Sequence, residues 1–211
     1  MKENINTEEL WDYRYDKGVL PEKLVSGVHA NLYQKLADFV FKLKNRTILD
    51  IGAGVAPVAF LLRKRNFIFD RYVAIDFSKN GLSIAKDRVS NIETHVAYVD
   101  KKIKIKGIDK KSFDLILCTE VLEHITNYNL VLANIAYFLS DSGTSIVSIP
   151  AGKIMIKEHY HMNILVPDMI EAHRKVGLNV YSVIKIDRWN IFKSNKINIK
   201  DEIKVSSELT I

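Results

Sequence analysis

Short apolar runs alternate with longer amphipathic segments over most of the chain. The apolar runs are predicted to be strands, and they cover residues 47–51, 72–75, 94–99, 113–118, 144–149 and 179–186. The segments with helical spacing cover residues 28–43, 57–64, 80–89, 128–139 and 166–176. We expect SDSG to stop the helix before the fifth strand, and the weak pattern after Arg188 could supply one further strand. This alternation is typical of βαβ units and predicts a mostly parallel sheet.

The composition is that of an ordinary globular domain. Apolar residues make up 47% and charged residues 27% of the 211 positions, which excludes a disordered or fibrous protein. The length fits a single domain. We divide it into an N-terminal helical segment or lid, residues 1–45, and a ligand-binding core, residues 46–211.

The charge balance is moderately basic, with 31 basic and 25 acidic residues and a formal net charge of +6. The densest basic segment, residues 101–111, is interpreted as a solvated loop, so nucleic acid is not the expected partner. No stretch approaches the roughly 18 apolar residues of a membrane span, and the polar N-terminus is unlike a signal peptide. The single Cys118 suits a reducing compartment, so we expect a cytoplasmic location. The oligomeric state stays open.

Chemically useful residues follow each of the first four predicted strands. These residues are Gly52-Ala53-Gly54, Asp76, Asp100 and Thr119-Glu120. Parallel strands end at one edge of a sheet, where α/β proteins bind ligands, so we expect these groups to converge although they are far apart in sequence.

The first two groups predict a nucleoside ligand. Gly52 and Gly54 would allow the backbone to approach a ligand closely, and the following helix would offer free N–H groups to an anion. Asp76 could accept hydrogen bonds from both hydroxyls of a ribose. Either feature has a structural alternative, because the glycines could form a tight turn and Asp76 could cap a helix.

The motifs together resemble the class I S-adenosylmethionine-dependent methyltransferases, in the broad group that includes ubiquinone-biosynthesis O-methyltransferases. ILDIGAG, VAIDFS, VAYVD and FDLILCTEVLEHI match successive family motifs, and the likeness covers about residues 10–186. It implies a Rossmann-like α/β fold, with a mostly parallel seven-stranded sheet and helices on both faces in a single domain. The cofactor-binding residues that it implies are Trp11, Tyr15, Asp50, Gly52, Ala53, Gly54, Asp76, Phe77, Asp100, Thr119 and Glu120.

Two positions depart from the family pattern. Ala56 replaces the third glycine of the loop, and the segment 141–143 replaces a Pro-Gly-Gly turn. A nicotinamide dehydrogenase would share the glycine loop and the acidic residue, but it would not be expected to carry TEVLEHI after the fourth strand.

Two histidines are candidate general bases for an oxygen acceptor. His124 follows the fourth strand, and His161 precedes the late helix, where His159 could substitute for it. Imidazole titrates near neutral pH and suits this role. The alternative for His124 is that it only ties down its loop.

A metal site is a further possibility. At spacings of three and four residues, Glu120, Glu123 and His124 would share one face of a helical turn, and His161 could complete the set. Oxygen-rich ligation would favour Mg²⁺ or Mn²⁺. The set resembles the metal site of small-RNA 2′-O-methyltransferases, although many relatives carry the same residues without a metal.

The resemblance leaves three functions open. The leading hypothesis is methyl transfer to a small molecule, at oxygen or nitrogen. The alternatives are a metal-dependent RNA 2′-O-methyltransferase and a cofactor-binding partner protein without turnover. Trp11, Tyr13 and Tyr15 could form a lid, with Trp11 or Tyr15 touching the cofactor, and Met155, Ile156 and Met162 could line the acceptor pocket.

Overall fold

A computed structural model describes residues 6–43, 47–152, 161 and 163–197. His159, Met155, Ile156 and Met162 lie outside these described residues. The helices are α1 Glu8–Asp16, α2 Pro21–Leu24, α3 Ala30–Leu43, α4 Pro57–Lys64, α5 Lys79–Arg88, α6 Tyr128–Phe138 and α7 Val166–Lys175. The strands are β1 Thr47–Ile51, β2 Arg71–Asp76, β3 Glu93–Val96, β4 Phe113–Thr119, β5 Leu139–Pro150, β6 Leu178–Ile186 and β7 Trp189–Lys196. A 3₁₀ turn covers Leu122–His124.

The strands form one seven-stranded sheet in the order β3-β2-β1-β4-β5-β7-β6. The first five strands pair in parallel. Strand β7 lies between β5 and β6 and runs antiparallel to both. The prediction of a mostly parallel α/β sheet in a single domain is therefore confirmed.

Helices cover both faces of the sheet because successive strand residues point to opposite sides. On one face, α3, α4 and α5 pack on strand residues such as Ile48, Tyr72 and Leu115. On the other face, α6 and α7 pack on Leu49, Val73 and neighbouring apolar side chains. Since both faces are covered, the central strands are apolar on both sides, as is usual in parallel sheets.

The helix ends before SDSG as expected, but the predicted start of the fifth strand at Thr144 is wrong. Helix α6 ends at Phe138 and β5 begins at the next residue, so the segment lies inside the strand. The ladder with β4 passes from the pair Phe113–Leu139 to the pair Leu115–Thr144, so the intervening residues form an irregularity in the pairing. A Cβ on Gly143 would lie 2.7 Å from a methyl carbon of Leu139, which explains a glycine there.

Two other boundaries differ from the prediction. Strand β3 ends at Val96 instead of Val99, because its partner β2 ends at Asp76, and the Ala97 amide makes a last hydrogen bond to the Asp76 carbonyl. The weak pattern after Arg188 does form a strand, β7. It pairs with β5 as well as with β6, so it extends the sheet from within instead of adding an edge.

Candidate active site

A cavity of about 720 Å³ opens at the carboxyl ends of β1, β2, β4 and β5. Helix α1 borders it on one side and the start of β7 on another. The lining includes ten of the eleven residues predicted to bind the cofactor: Trp11, Tyr15, Gly52, Ala53, Gly54, Asp76, Phe77, Asp100, Thr119 and Glu120. The convergence expected from the parallel sheet is therefore present in the structure.

The glycine loop after β1 is shaped by close contacts at both glycines. Gly52 has φ +71° and Gly54 φ +51°, the left-handed region that favours glycine. A Cβ on Gly52 would overlap the side chain of Val121, and a Cβ on Gly54 would overlap the hydroxyl of Tyr15. The amides of Gly52 and Ala53 both donate to the Ile75 carbonyl, at 2.8 and 3.0 Å. The loop can therefore take this shape only with glycine at both positions, and both glycines line the cavity.

Asp76 ties this loop to the end of β2. Its Oδ2 atom accepts from the Gly54 amide at 2.9 Å, and its Oδ1 atom accepts from the Ser78 amide at 2.8 Å. The residue that caps α5 is Ser78, whose hydroxyl accepts from the Gly81 amide. Burial raises the pKa of Asp76 to about 6, although the backbone N–H donors oppose this shift. The carboxyl is held rigidly at the cavity wall, with an unusual tendency to be neutral.

Asp50 is the predicted cofactor-binding residue that does not line the cavity. Its carboxylate is buried and accepts a hydrogen bond of 2.7 Å from the hydroxyl of Tyr72. Burial raises the pKa of Asp50 to about 7. In this arrangement Asp50 supports β1 from within and acts on the loop indirectly.

Two aromatic rings flank the cavity beyond β2 and β3. The rings of Phe77 and Tyr98 are nearly parallel, with an interplanar angle of 12° and centroids 6.0 Å apart. Asp100 lines the cavity beside them. The Tyr98 hydroxyl also donates to Glu8 of α1 at 3.0 Å. This pair offers flat apolar surface next to an acidic group.

Helix α1 forms a cover held by side-chain hydrogen bonds to α5. Asp12 accepts hydrogen bonds from the Ser78 hydroxyl and the Asn80 amide. Trp11 and Tyr15 line the cavity, whereas the Tyr13 side chain is exposed and is absent from the lining. Tyr15 sits against Gly54 and Gly81, and a Cβ on Gly81 would lie 2.8 Å from its ring.

Arg14 is a cavity residue that the sequence analysis missed. It lines the cavity, and its guanidinium carbon lies 4.9 Å from the centroid of the Trp11 ring. The spacing of Trp11, Arg14 and Tyr15 could have predicted this position, since residues three and four apart share one face of a helix.

The two candidate bases occupy different surroundings. His124 lines the cavity, and its ring meets Trp11 edge to face, with centroids 5.3 Å apart and an interplanar angle of 82°. His161 is not among the lining residues. Its Nε2 atom lies 3.0 Å from the Ile125 carbonyl and 3.3 Å from the Thr126 carbonyl, so it holds the loop that follows the 3₁₀ turn.

Two carboxyls lie close together after β4. Glu120 has φ +58°, and its oxygens accept from the Trp189 indole at 2.6 Å and from the Ser148 hydroxyl at 3.1 Å. Burial raises the pKa of Glu120 to about 7. Burial, and then the charge of Glu120, raise the pKa of Glu123 well above its usual range. The two neighbouring carboxyls therefore both hold a proton more readily than exposed carboxyls do.

The residues predicted to hold a metal do not fit a metal site in this arrangement. They are Glu120, Glu123, His124 and His161. The first is held by Trp189 and Ser148, and the last faces two carbonyl groups. Within the described ranges, no group of three or more His, Cys, Asp or Glu side chains is placed to hold an ion. The reaction proposed below therefore contains no metal-bound step.

The comparisons with known proteins identify the family. A family model described as a methyltransferase domain matches residues 42–196, more than half of the chain. The chain therefore belongs to the methyltransferase-domain family.

Individual relatives agree with this assignment at low identity. The ubiquinone biosynthesis O-methyltransferase of Coxiella burnetii is 28% identical over 101 residues, which is 48% of this chain and 42% of that protein. The chain thus spans less than half the length of that relative.

Solved structures share the fold. A TehB-like S-adenosylmethionine-dependent methyltransferase from Corynebacterium glutamicum matches with a TM-score of 0.65 and 18% identity, over 90% of this chain and 97% of that one. The magnesium protoporphyrin IX methyltransferase of Synechocystis, solved with bound S-adenosylhomocysteine, matches with a TM-score of 0.67 and 13% identity, over 91% and 96%. Among the described helices, none has the length and apolar character needed to cross a membrane.

Proposed function

We propose that this methyltransferase acts on a small-molecule acceptor, at oxygen or nitrogen. The observation that carries the proposal is one cavity lined both by the cofactor-binding motifs and by further residues past Glu120, among them His29, Tyr33 and Trp189. The basic residues 101–111 do not line this cavity, so we do not propose RNA as the acceptor. The cytoplasmic location and the division at residues 45 and 46 remain predictions.

The residues present fit S-adenosylmethionine. The bare backbone at Gly52 and Gly54 accommodates the methionine part, with Arg14 as a cation for its carboxylate.

Asp76 receives the ribose hydroxyls, and Phe77, Tyr98 and Asp100 surround the adenine. Thr119 and Glu120 complete the floor. The bound cofactor supplies an electrophilic methyl group, and the protein supplies alignment and electrostatics.

Helix α1 is proposed as the lid of this site. Its hydrogen bonds to Ser78 and Asn80 hold Trp11 and Tyr15 over the cavity. A closed cover of this kind excludes water from the reacting groups and strengthens the electrostatic interactions among them.

Cofactor binding by the whole chain is the first test. We expect S-adenosylhomocysteine to bind with a micromolar Kd in isothermal titration, because apolar rings, a buried carboxylate and backbone groups all contact it. Replacing Trp11 by alanine should weaken binding, whereas replacing the exposed Tyr13 should not. Absence of heat at millimolar ligand would contradict the proposal.

His124 is proposed to assist an acceptor that must lose a proton. It lines the cavity, and its side chain is 15% exposed, so a bound acceptor could reach it. His161 instead holds the neighbouring loop through backbone carbonyls.

We expect His124→Gln to lower kcat by about 100-fold, a typical contribution of a general base, and to remove the acidic limb from the pH profile of kcat, where protonation of the imidazole stops the wild-type reaction. His161→Gln should lower thermal stability and leave the pH profile in place. Equal profiles for wild type and His124→Gln would show that His124 only positions its loop.

A further inference from the structure

Past Glu120, the cavity is lined by His29, Tyr33, Arg188 and Trp189, and we call this part of the cavity the compartment. The indole of Trp189 is buried and donates to Glu120 at one end. The ring of His29 lies 5.2 Å from it between centroids, and the Arg188 guanidinium carbon lies 5.7 Å from the same ring. The walls are therefore largely aromatic, with carboxyls at one end of the indole and a cation beside it.

Glu123 carries a polar atom with no partner. Its side chain is 1% exposed, it lines the cavity, and its Oε2 atom makes no hydrogen bond. Within the described part of the chain, two other buried side-chain atoms share this property, one on Glu22 and one on His173, and neither residue lines the cavity. Buried polar atoms are nearly always paired, so an unpaired one at a cavity wall points to a ligand group that completes it.

Arg188 supplies the opposite charge at the exposed part of the compartment. Its side chain lines the cavity, and no acidic side chain among the described residues forms an ion pair with it. It is close enough to His29 for its charge, after burial, to help lower the pKa of that imidazole. An anionic group of a ligand would be stabilised here.

We infer that the methyl acceptor is a small aromatic acid whose hydroxyl or amino group donates to Glu123 and whose carboxylate pairs with Arg188. This inference rests on the proposed function and names its substrate class. The aromatic body would lie against the indole of Trp189. The donor end would then face the two carboxyls, next to the glycine loop where the methyl group is carried.

Methyl transfer to such an acceptor balances without a further reagent. The acceptor oxygen or nitrogen forms the new bond to the methyl carbon while the bond from that carbon to sulfur breaks, and S-adenosylhomocysteine leaves. The acceptor proton goes to the imidazole of His124, which lines the cavity, and from there to solvent.

The binding test uses three matched sets of benzene derivatives with the protein saturated by S-adenosylhomocysteine. The first set carries a hydroxyl or amino group and a carboxylate, the second is the methyl esters of the first, and the third is plain benzoates. We expect the first set to bind about fivefold more tightly than the esters and about tenfold more tightly than the benzoates. Equal binding of all three sets, or binding of none, overturns the inference.

Two variants test which residue binds each end of the acceptor. Arg188→Ala should remove the preference for acids over esters, while Lys185→Ala, a neighbouring exposed cation outside the cavity, should retain it. Glu123→Gln should remove the preference for a donor group and leave the Kd for S-adenosylhomocysteine within about twofold. The same charge change at half-buried Glu171, which does not line the cavity, should alter neither the preference for a donor group nor the Kd for S-adenosylhomocysteine.

The outcomes separate this inference from the proposed function. If S-adenosylhomocysteine itself does not bind, the proposed function fails. If it binds and Glu123→Gln weakens it while acceptor preferences are unchanged, Glu123 serves the cofactor and the inference is overturned. A purely structural role for Glu123 would change the unfolding temperature without changing the order of preference among the three sets.

Discussion

Replacing Gly54 by alanine is expected to lower the affinity for S-adenosylhomocysteine by at least about 100-fold, equivalent to about 2.8 kcal/mol. The added Cβ would fall on the Tyr15 hydroxyl, far inside the 3.0 Å that real Cβ atoms essentially never cross. The left-handed φ of +51° adds strain of about 1–2 kcal/mol for a residue with a side chain. Both effects distort the loop where we place the methionine part, and isothermal titration measures the loss.

Gly107 provides the matched control for Gly54. It also has a positive φ, +82°, but a Cβ there would meet nothing within 4 Å. The backbone strain of Gly107→Ala should therefore lower the unfolding temperature, as in Gly54→Ala, and the affinity for the cofactor should stay unchanged. Combining Gly54→Ala with Tyr15→Phe should recover part of the lost affinity, because the hydroxyl that collides is removed. Equal affinities for Gly54→Ala and Gly107→Ala would contradict a role for the loop in cofactor binding.

Replacing Asp76 by alanine is the second change expected to have a large effect. It removes the acceptor of two backbone hydrogen bonds and, in the proposed complex, the acceptor of the ribose hydroxyls. Hydrogen bonds to a charged group are worth about 1.5–3 kcal/mol each, so we expect at least a 100-fold loss of affinity. Asp70→Ala is the control, because this exposed carboxylate lies just before the first residue of β2, at the end of the strand opposite to Asp76. It should leave the affinity unchanged.

Affinity should also depend on pH through Asp76. Its folded-state pKa of about 6 lies above the ordinary value, so ionisation costs stability as the pH rises through about 6. Ribose hydroxyls donate to the carboxylate and favour its ionised form. Affinity should therefore fall below about pH 6, by at most about tenfold per pH unit. Asp76→Asn should flatten this part of the profile measured by titration calorimetry between pH 5 and 8.

The placement of the cofactor motifs could be predicted from local patterns. Apolar runs interrupted by helical segments predict parallel strands, and the residues after those strands must then meet at one edge. One cavity is lined by Gly52, Asp76 and Asp100, although up to 48 residues separate them in the sequence. The reason is that the carboxyl ends of parallel strands lie at one edge of the sheet.

The acceptor end could not be predicted in the same way. Trp189 and Arg188 lie in a segment with a weak pattern, and they reach the cavity because β7 pairs with β5 inside the sheet. Antiparallel pairing with a strand about 40 residues earlier depends on long-range contacts that no local periodicity records. The irregular pairing in β5, in the segment expected to stop the preceding helix, could not be predicted for the same reason.

Local patterns in the chain are sufficient to predict the class of fold, the glycine loop and the acidic residues at the strand ends, because strand and helix periodicity and the parallel sheet rule act over short stretches. Which carboxyls are buried and which are paired became known from the folded arrangement. Asp50 proved to support β1 from within, and Glu123 proved to line the cavity with one carboxyl oxygen, Oε2, without a hydrogen bond. The physical reason is that burial, and the pKa values that follow from it, depend on every element packed around a side chain.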